Sequence, residues 1–207
     1  MIELMREKYL GTVSVKNNIN TVITNIRPIF DSIKEHTESI SNFQGIYESC
    51  TFSLNNKDYH LVRISPGSPI IDIIKLMAPL SSSITLVGIA GSLNTGTLIG
   101  DVIFPREAMH HNSLGKSIAF THRNGEGIIC QTDGLVQTKV FYESLRDTGI
   151  DFVDMESYYI ASYAHQYGIR SKVVSIVSDL PLEIPFYLAP IVSKFDMEKI
   201  LYYLKVE

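Results

Sequence analysis

Basic residues are not in excess: 18 Lys plus Arg stand against 22 Asp plus Glu in 207 residues, a formal net charge of −4. Readers of a phosphate backbone concentrate Lys and Arg to displace counterions, so no nucleic-acid partner is expected. Cysteine is scarce too. Cys50 and Cys130 lie far apart, with no CxxC and no His at ligand spacing, which argues against zinc and for two buried thiols in a reducing compartment. No apolar run approaches the roughly 18 to 20 residues that a bilayer requires. Glu3, Arg6, Glu7 and Lys8 interrupt any signal-peptide core, so the expectation is a soluble cytoplasmic protein with no membrane partner. Repeats, low-complexity tracts and Pro/Gly/Ser linkers are absent. Together with the length this gives one domain over residues 1–207, with 1–18 allowed to form an irregular N-terminal extension.

What is present is apolar. Hydrophobic residues make up 45% of the chain and charged ones 19%, which implies a large core or an apolar surface that meets another subunit. Thr21-Val22-Ile23 reads as a strand, and Ile29, Phe30 and Ile33 after Pro28 read as a helix ending at Lys34-Glu35-His36. Runs 45–54 and 59–64, joined by Asn55-Asn56-Lys57-Asp58, read as a hairpin. The apolar stripe from Pro69 to Met77 is helical. Ser83–Val87 is a buried strand running into the glycine-rich Gly88-Ile89-Ala90-Gly91-Ser92, and Asp101–Phe104 and Gly127–Cys130 add two more. Tyr159, Ile160, Tyr163, Ala164 and Tyr167 share a helix face that stops at Gly168, and Lys172–Val177 is a strand carrying Ser178-Asp179 at its carboxyl end. Strands alternating with helices define an α/β domain with a mixed, partly parallel sheet.

Ligands of such sheets gather at the carboxyl ends of strands. Three segments occupy those places. Gly88–Gly91 lets backbone approach a ligand, but it is neither GxGxxG nor a P-loop, and taken alone a ligand-free tight turn explains it better. Asp154 and Glu156 at a helix entrance are read alone as caps, and Ser178-Asp179 as a cap or turn. The adjacent His110 and His111 read as solvated loop residues or as substrate contacts. Ser65-Pro66-Gly67-Ser68-Pro69 is a rigid turn whose amides can face an anion or a sugar.

Read together, the segments resemble the nucleoside phosphorylase and nucleosidase superfamily. Gly88-Ile89-Ala90-Gly91-Ser92-Leu93 with Ile99-Gly100-Asp101-Val102-Ile103 is similar to that family's Gly-x-Ala-Gly-Gly-Leu turn and Val-Gly-Asp-Val-Val strand. Asp154-Met155-Glu156-Ser157 is similar to Val-Glu-Met-Glu-Ala, Ile176-Val177-Ser178-Asp179 to Ile-Ser-Asp, and Gln131–Val136 more loosely to Ser-Gly-Asp-x-Phe-Ile. The segments occur in family order. The resemblance implies a three-layer fold with helices flanking a mixed central sheet, and cleavage of the N-glycosidic bond of a purine-type nucleoside through an oxocarbenium-like transition state.

By the same resemblance, Glu156 accepts hydrogen bonds from the ribose 2′- and 3′-hydroxyls, Met155 packs beneath the sugar, and Asp179 protonates purine N7. Ser178 accompanies Asp179, Ile89, Ala90 and Gly91 approach the ligand, and Leu135 and Val136 are apolar walls, without the aromatic residue common at the first of these. The departures decide the reaction. Hydrolytic members carry a Glu soon after the first strand, and Thr24-Asn25-Ile26-Arg27-Pro28-Ile29 has no acid. Arg27 suits a phosphate, whereas Ile89 replaces a hydroxyl residue of phosphate sites. Hydrolysis, nearest to 5′-methylthioadenosine/S-adenosylhomocysteine nucleosidases, is the reading taken. Glycosyl transfer to inorganic phosphate, then a co-substrate, and a nucleoside-binding protein without catalysis are the alternatives. No metal or redox cofactor is implied, and family assemblies lead to the expectation of a homodimer or a higher homo-oligomer.

Overall fold

A computed structural model describes residues 1–12, 15–122, 124–190 and 195–206. Among these the order is α1 (Ile2–Leu10), β1 (Ile19–Thr24), α2 (Arg27–Glu35), β2 (Glu38–Gln44), β3 (Glu48–Leu54), β4 (Lys57–Arg63), α3 (Pro69–Met77), β5 (Ser81–Ser92) and β6 (Val102–Ile103). There follow β7 (Glu107–His110), β8 (Ile118–Ala119), β9 (Ile128–Gln131), α4 (Lys139–Asp147), β10 (Phe152–Asp154), α5 (Ser157–Tyr167), β11 (Arg170–Asp179) and α6 (Met197–Lys205). Pro28 and Pro69 open α2 and α3 at positions where the missing N–H costs nothing. Gly168, at φ 66°, closes α5 in the left-handed conformation.

The sheet runs β2-β3-β4-β1-β5-β10-β9-β7-β8, and β11 pairs with β5 and β6. The β4-β1-β5-β11 and β10-β9-β7 pairings are parallel, while β2-β3-β4, β5-β10, β7-β8 and β6-β11 are antiparallel. The mixed, partly parallel sheet is therefore as read. Alternation along its strands feeds a core on each face: Ile23, Ile84, Leu86 and Val173 pack toward Ile70, Ile73, Ile74 and Ile160, whereas Val22, Val87, Val174 and Ile176 pack toward Ile29, Phe30, Ile33 and Ile200, and a third cluster joins Met109, Cys130 and Val153 to Tyr142 and Leu145 of α4. A layer of helices on each face of the sheet follows directly.

Several local expectations are corrected. Residues Ile2–Leu10, allowed above to be irregular, are helical, and Arg6 is anchored by its Nε donating to the Leu76 carbonyl at 2.9 Å. The hairpin loop is two residues, not four, because Asn55 and Asn56 both adopt positive φ (50° and 59°), the twist of a tight primed turn. Gly88–Ser92 is not a turn: it continues β5, paired with β11 and, at Gly91 and Ser92, with β10. The stretch Pro105–Met109, expected to be a short connection, contains most of strand β7, and α4, β2, β8 and β10 were not expected.

Candidate functional site

Four strands deliver side chains to one pocket at their carboxyl ends. Asn25 and Ile26 follow β1, Ile89, Ala90 and Gly91 come from the end of β5, Asp154, Met155 and Glu156 follow from β10, and Ser178 and Asp179 end β11. Pro66, Thr132, Leu135, Tyr142, Val153 and Phe186 complete the wall. Gly91 is required for packing: a Cβ there would stand 2.7 Å from Pro181 Cγ and 3.1 Å from Val153 Cγ2.

The β11 register shifts between Val177 and Asp179, so that Asp179 rather than Ser178 faces Gly91. A bulge of this kind re-aims side chains where pairing ends. Here Ser178 and Asp179 both line the pocket, and Ser178 Oγ donates to Asp179 Oδ1 at 2.6 Å. Burial pushes the Asp179 carboxyl up from the usual carboxylate range, and the Ser178 hydroxyl partly offsets this.

The capping reading holds for Asp154 and fails for Glu156. Asp154 Oδ2 accepts from Ser157 N at 3.0 Å and Oδ1 from Ser157 Oγ at 2.6 Å, at the entrance of α5. Full burial and the neighbouring Glu156 lift its carboxyl well above the usual range, against the Ser157 donors. Glu156 instead points away from its helix: Oε1 accepts from Gly67 N at 2.5 Å and Asn25 Nδ2 at 3.0 Å. Burial raises this carboxyl, and those two N–H donors oppose the rise. The rigid turn 65–69 thus spends one of its amides on a carboxylate of the chain itself.

Asn25 stands in the acid-free segment just past β1. Its Nδ2 holds Glu156, while its Oδ1 is buried without a hydrogen-bond partner. A buried acceptor left unpaired in a pocket is costly, and a ligand or water that donates to it relieves the cost. Its signal was position: the first polar residue past β1, at the edge where ligands bind. Tyr142 and Phe186 were also missed. Tyr142 Oη donates to the Leu135 carbonyl at 3.1 Å, and burial followed by the charge of Asp179 raises its phenol. These two rings bring aromatic faces to a wall where Leu135 has none.

Two sequence candidates are not in the pocket. Val136 is 84% exposed beyond Leu135. Arg27 faces outward on α2, its Nη2 2.5 Å from Glu48 Oε2 and its Nη1 3.6 Å from Asp31 Oδ1. Placing Arg27 at the first turn of α2 turns it toward β3 and β4, where Arg63 shares the same Glu48. Among the described residues that line the pocket there is no Lys or Arg.

The fold is similar to that of nucleoside phosphorylases and nucleosidases. Residues 119–185 match the family model described as phosphorylase superfamily, a stretch that holds the Gln131–Val136, Asp154–Ser157 and Ile176–Asp179 segments. No curated protein sequence matches the chain. Among solved structures, the 5′-methylthioadenosine/S-adenosylhomocysteine nucleosidase from S. pneumoniae with a transition-state inhibitor superposes with a TM-score of 0.75 at 16% identity, over 90% of this chain and 98% of that one. The S-adenosylhomocysteine nucleosidase from Streptococcus pyogenes in complex with 5-methylthiotubericidin gives 0.70 at 17% identity, over 80% and 85%. A futalosine hydrolase mutant from Helicobacter pylori gives 0.68 at 17% identity, over 80% and 89%. These likenesses establish the three-layer fold that the motifs implied. No described helix is long and apolar enough to cross a membrane.

Proposed function

We propose that the chain hydrolyses the N-glycosidic bond of a purine-type nucleoside, with Glu156 and Asp179 as its catalytic residues. The carrying observation is that these two carboxyls face one pocket with different partners. Glu156 has one oxygen fixed by two N–H donors, which leaves Oε2 for the ribose hydroxyls and keeps negative charge beneath the sugar. Asp179 has a single hydroxyl donor and is lifted by burial, which suits a carboxyl that must hold a proton near neutrality. The base leaves with the electron pair of the C1′–N bond and takes the Asp179 proton at N7. Water adds to C1′ from the opposite face and gives up its surplus proton to a pocket carboxylate.

Water is favoured over phosphate on electrostatic grounds. Three carboxyls and no cation line the pocket among the described residues, and Arg27 is committed to Glu48 outside it. A phosphate dianion placed there would meet the Glu156 charge, with no cation to offset it, in a poorly solvated space. Asn25, which holds Glu156 through Nδ2 and takes no proton, stands where an acid would activate the nucleophile. Met155, Ile89, Ala90, Gly91, Leu135, Tyr142 and Phe186 enclose the sugar and base. The reaction needs no cofactor, and inorganic phosphate enters only in the phosphorolytic alternative.

A homodimer or larger homo-oligomer in the cytoplasm belongs to the same reading. Leu135, Val136, Val140, Tyr187 and Leu188 are apolar and 47% to 84% exposed, in the segments that carry the pocket residues Leu135, Tyr142 and Phe186, and a second copy would cover them. The chemistry is tested with Glu156→Gln and Asp179→Asn. Each variant is expected to lower base release by about 10²-fold or more, with circular dichroism unchanged. Full activity in both variants would remove the assignment.

A further inference from the structure

We propose that His110, His111 and Asp133 form a binding site for one divalent transition-metal ion of the zinc, cobalt or nickel class. Two parallel neighbours bring them together: β7 ends at His110 opposite Gln131 of β9, and Asp133 lies two residues further on. One ligand-type atom from each lies within 4.8 Å of the other two. His110 Nε2 is 3.5 Å from Asp133 Oδ1, and His111 Nε2 is 3.3 Å from Oδ2. Ligands about 2.0–2.2 Å from a shared ion stand within about 4 Å of each other, so small side-chain movements close the set.

The partners of the rings say what belongs between them. His111 Nδ1 lies 3.3 Å from the Gln131 carbonyl, which can only accept, so the proton sits on Nδ1 and the Nε2 lone pair faces the carboxylate. That nitrogen and the carboxylate can share a cation, either a proton or a metal ion. A carbonyl behind the ring is also the usual device that orients a metal-ligating histidine. His110 Nδ1 accepts from Asn112 N at 3.2 Å, so ligation through Nε2 requires its proton to move to Nδ1 and that amide to turn to water. One marginal hydrogen bond is a small loss beside a metal–nitrogen bond.

The two imidazoles are held in place. Tyr158 meets His110 edge-on at 5.5 Å and Phe141 meets His111 at 5.9 Å, and both histidine side chains are 16% exposed. Asp133 is 61% exposed, which leaves water to complete the coordination. Two nitrogens and a carboxylate suit borderline transition metals better than calcium or magnesium, which take oxygen donors. No step of the proposed reaction uses the ion. Thr132 and Leu135 of the same loop line the pocket, so the metal would brace that wall.

Calorimetric titration of the untagged full chain with ZnCl2, and optical titration with CoCl2, test the site. One equivalent is expected to bind, with affinity lowered at least about tenfold in both His111→Ala and Asp133→Asn and unchanged in His165→Ala. Circular dichroism confirms that the variants fold. Absence of saturable binding to the unmodified chain, or binding that neither variant weakens, overturns the proposal.

Discussion

Glu156 and Asp179 are both carboxyls lifted by burial, and their hydrogen bonds separate them. Removing the hydroxyl that favours the charged form of Asp179 makes that form harder to reach, so Ser178→Ala should raise the Asp179 pKa further. In the proposed reaction the protonated acid is the active form, so the alkaline limb of the rate profile is expected to move to higher pH in that variant. A limb that stays in place or moves down would separate Asp179 from the proton transfer. Asn25→Ala removes both the donor to Glu156 and the unpaired acceptor. It should lower kcat by about 10-fold or more, as expected for a lost orienting contact, with a smaller change in KM. A change confined to KM would show that Asn25 only binds substrate.

At the scale of elements, β5 and β11 set the geometry. Gly91→Ala would press a methyl onto Pro181 and Val153, so a loss of about 1–3 kcal/mol is expected in denaturant unfolding. Unchanged stability would mean that Pro181 yields freely. The same elements show what the sequence made legible. β1, α2, α3, α5 and β11 announced themselves because both faces of a buried strand, or one face of a helix, repeat apolar residues. The acids at the ends of β10 and β11 were legible through motif order. α1 was not, since only Arg6 and Leu10 of it are buried, and β2, Glu38–Gln44, is a polar edge strand without the alternation that marks a half-buried one. Tyr142 and Phe186 reach the pocket from segments whose local patterns say nothing of where the chain returns, and the outward turn of Arg27 depended on Glu48 of another strand.

At the scale of the molecule, two buried bases set a pH dependence, since burial lowers both His60 and His122 to about 4. His60 lies wholly inside the sheet with both ring nitrogens unpartnered, and burial lowers its pKa to about 4 from 6.5. The unfolded chain then binds the extra proton first as pH falls, so this group's contribution is full above about 6.5 and is lost down to about 4, up to ~3 kcal/mol. His60→Leu should lessen the fall of unfolding free energy between pH 7 and pH 5, with His122 supplying the remainder, and an unaltered slope would assign it to other groups. Light scattering is expected to give at least a dimer, and a strict monomer across working concentrations would contradict the proposed oligomer. The central claim is hydrolysis at the pocket of Glu156 and Asp179. Its most direct test is chromatography of purine nucleosides, 5′-methylthioadenosine among them, incubated with the purified chain with and without phosphate. Release of free base and free sugar at the same rate in both is predicted. Release only with phosphate, or tight binding with no release, would contradict it.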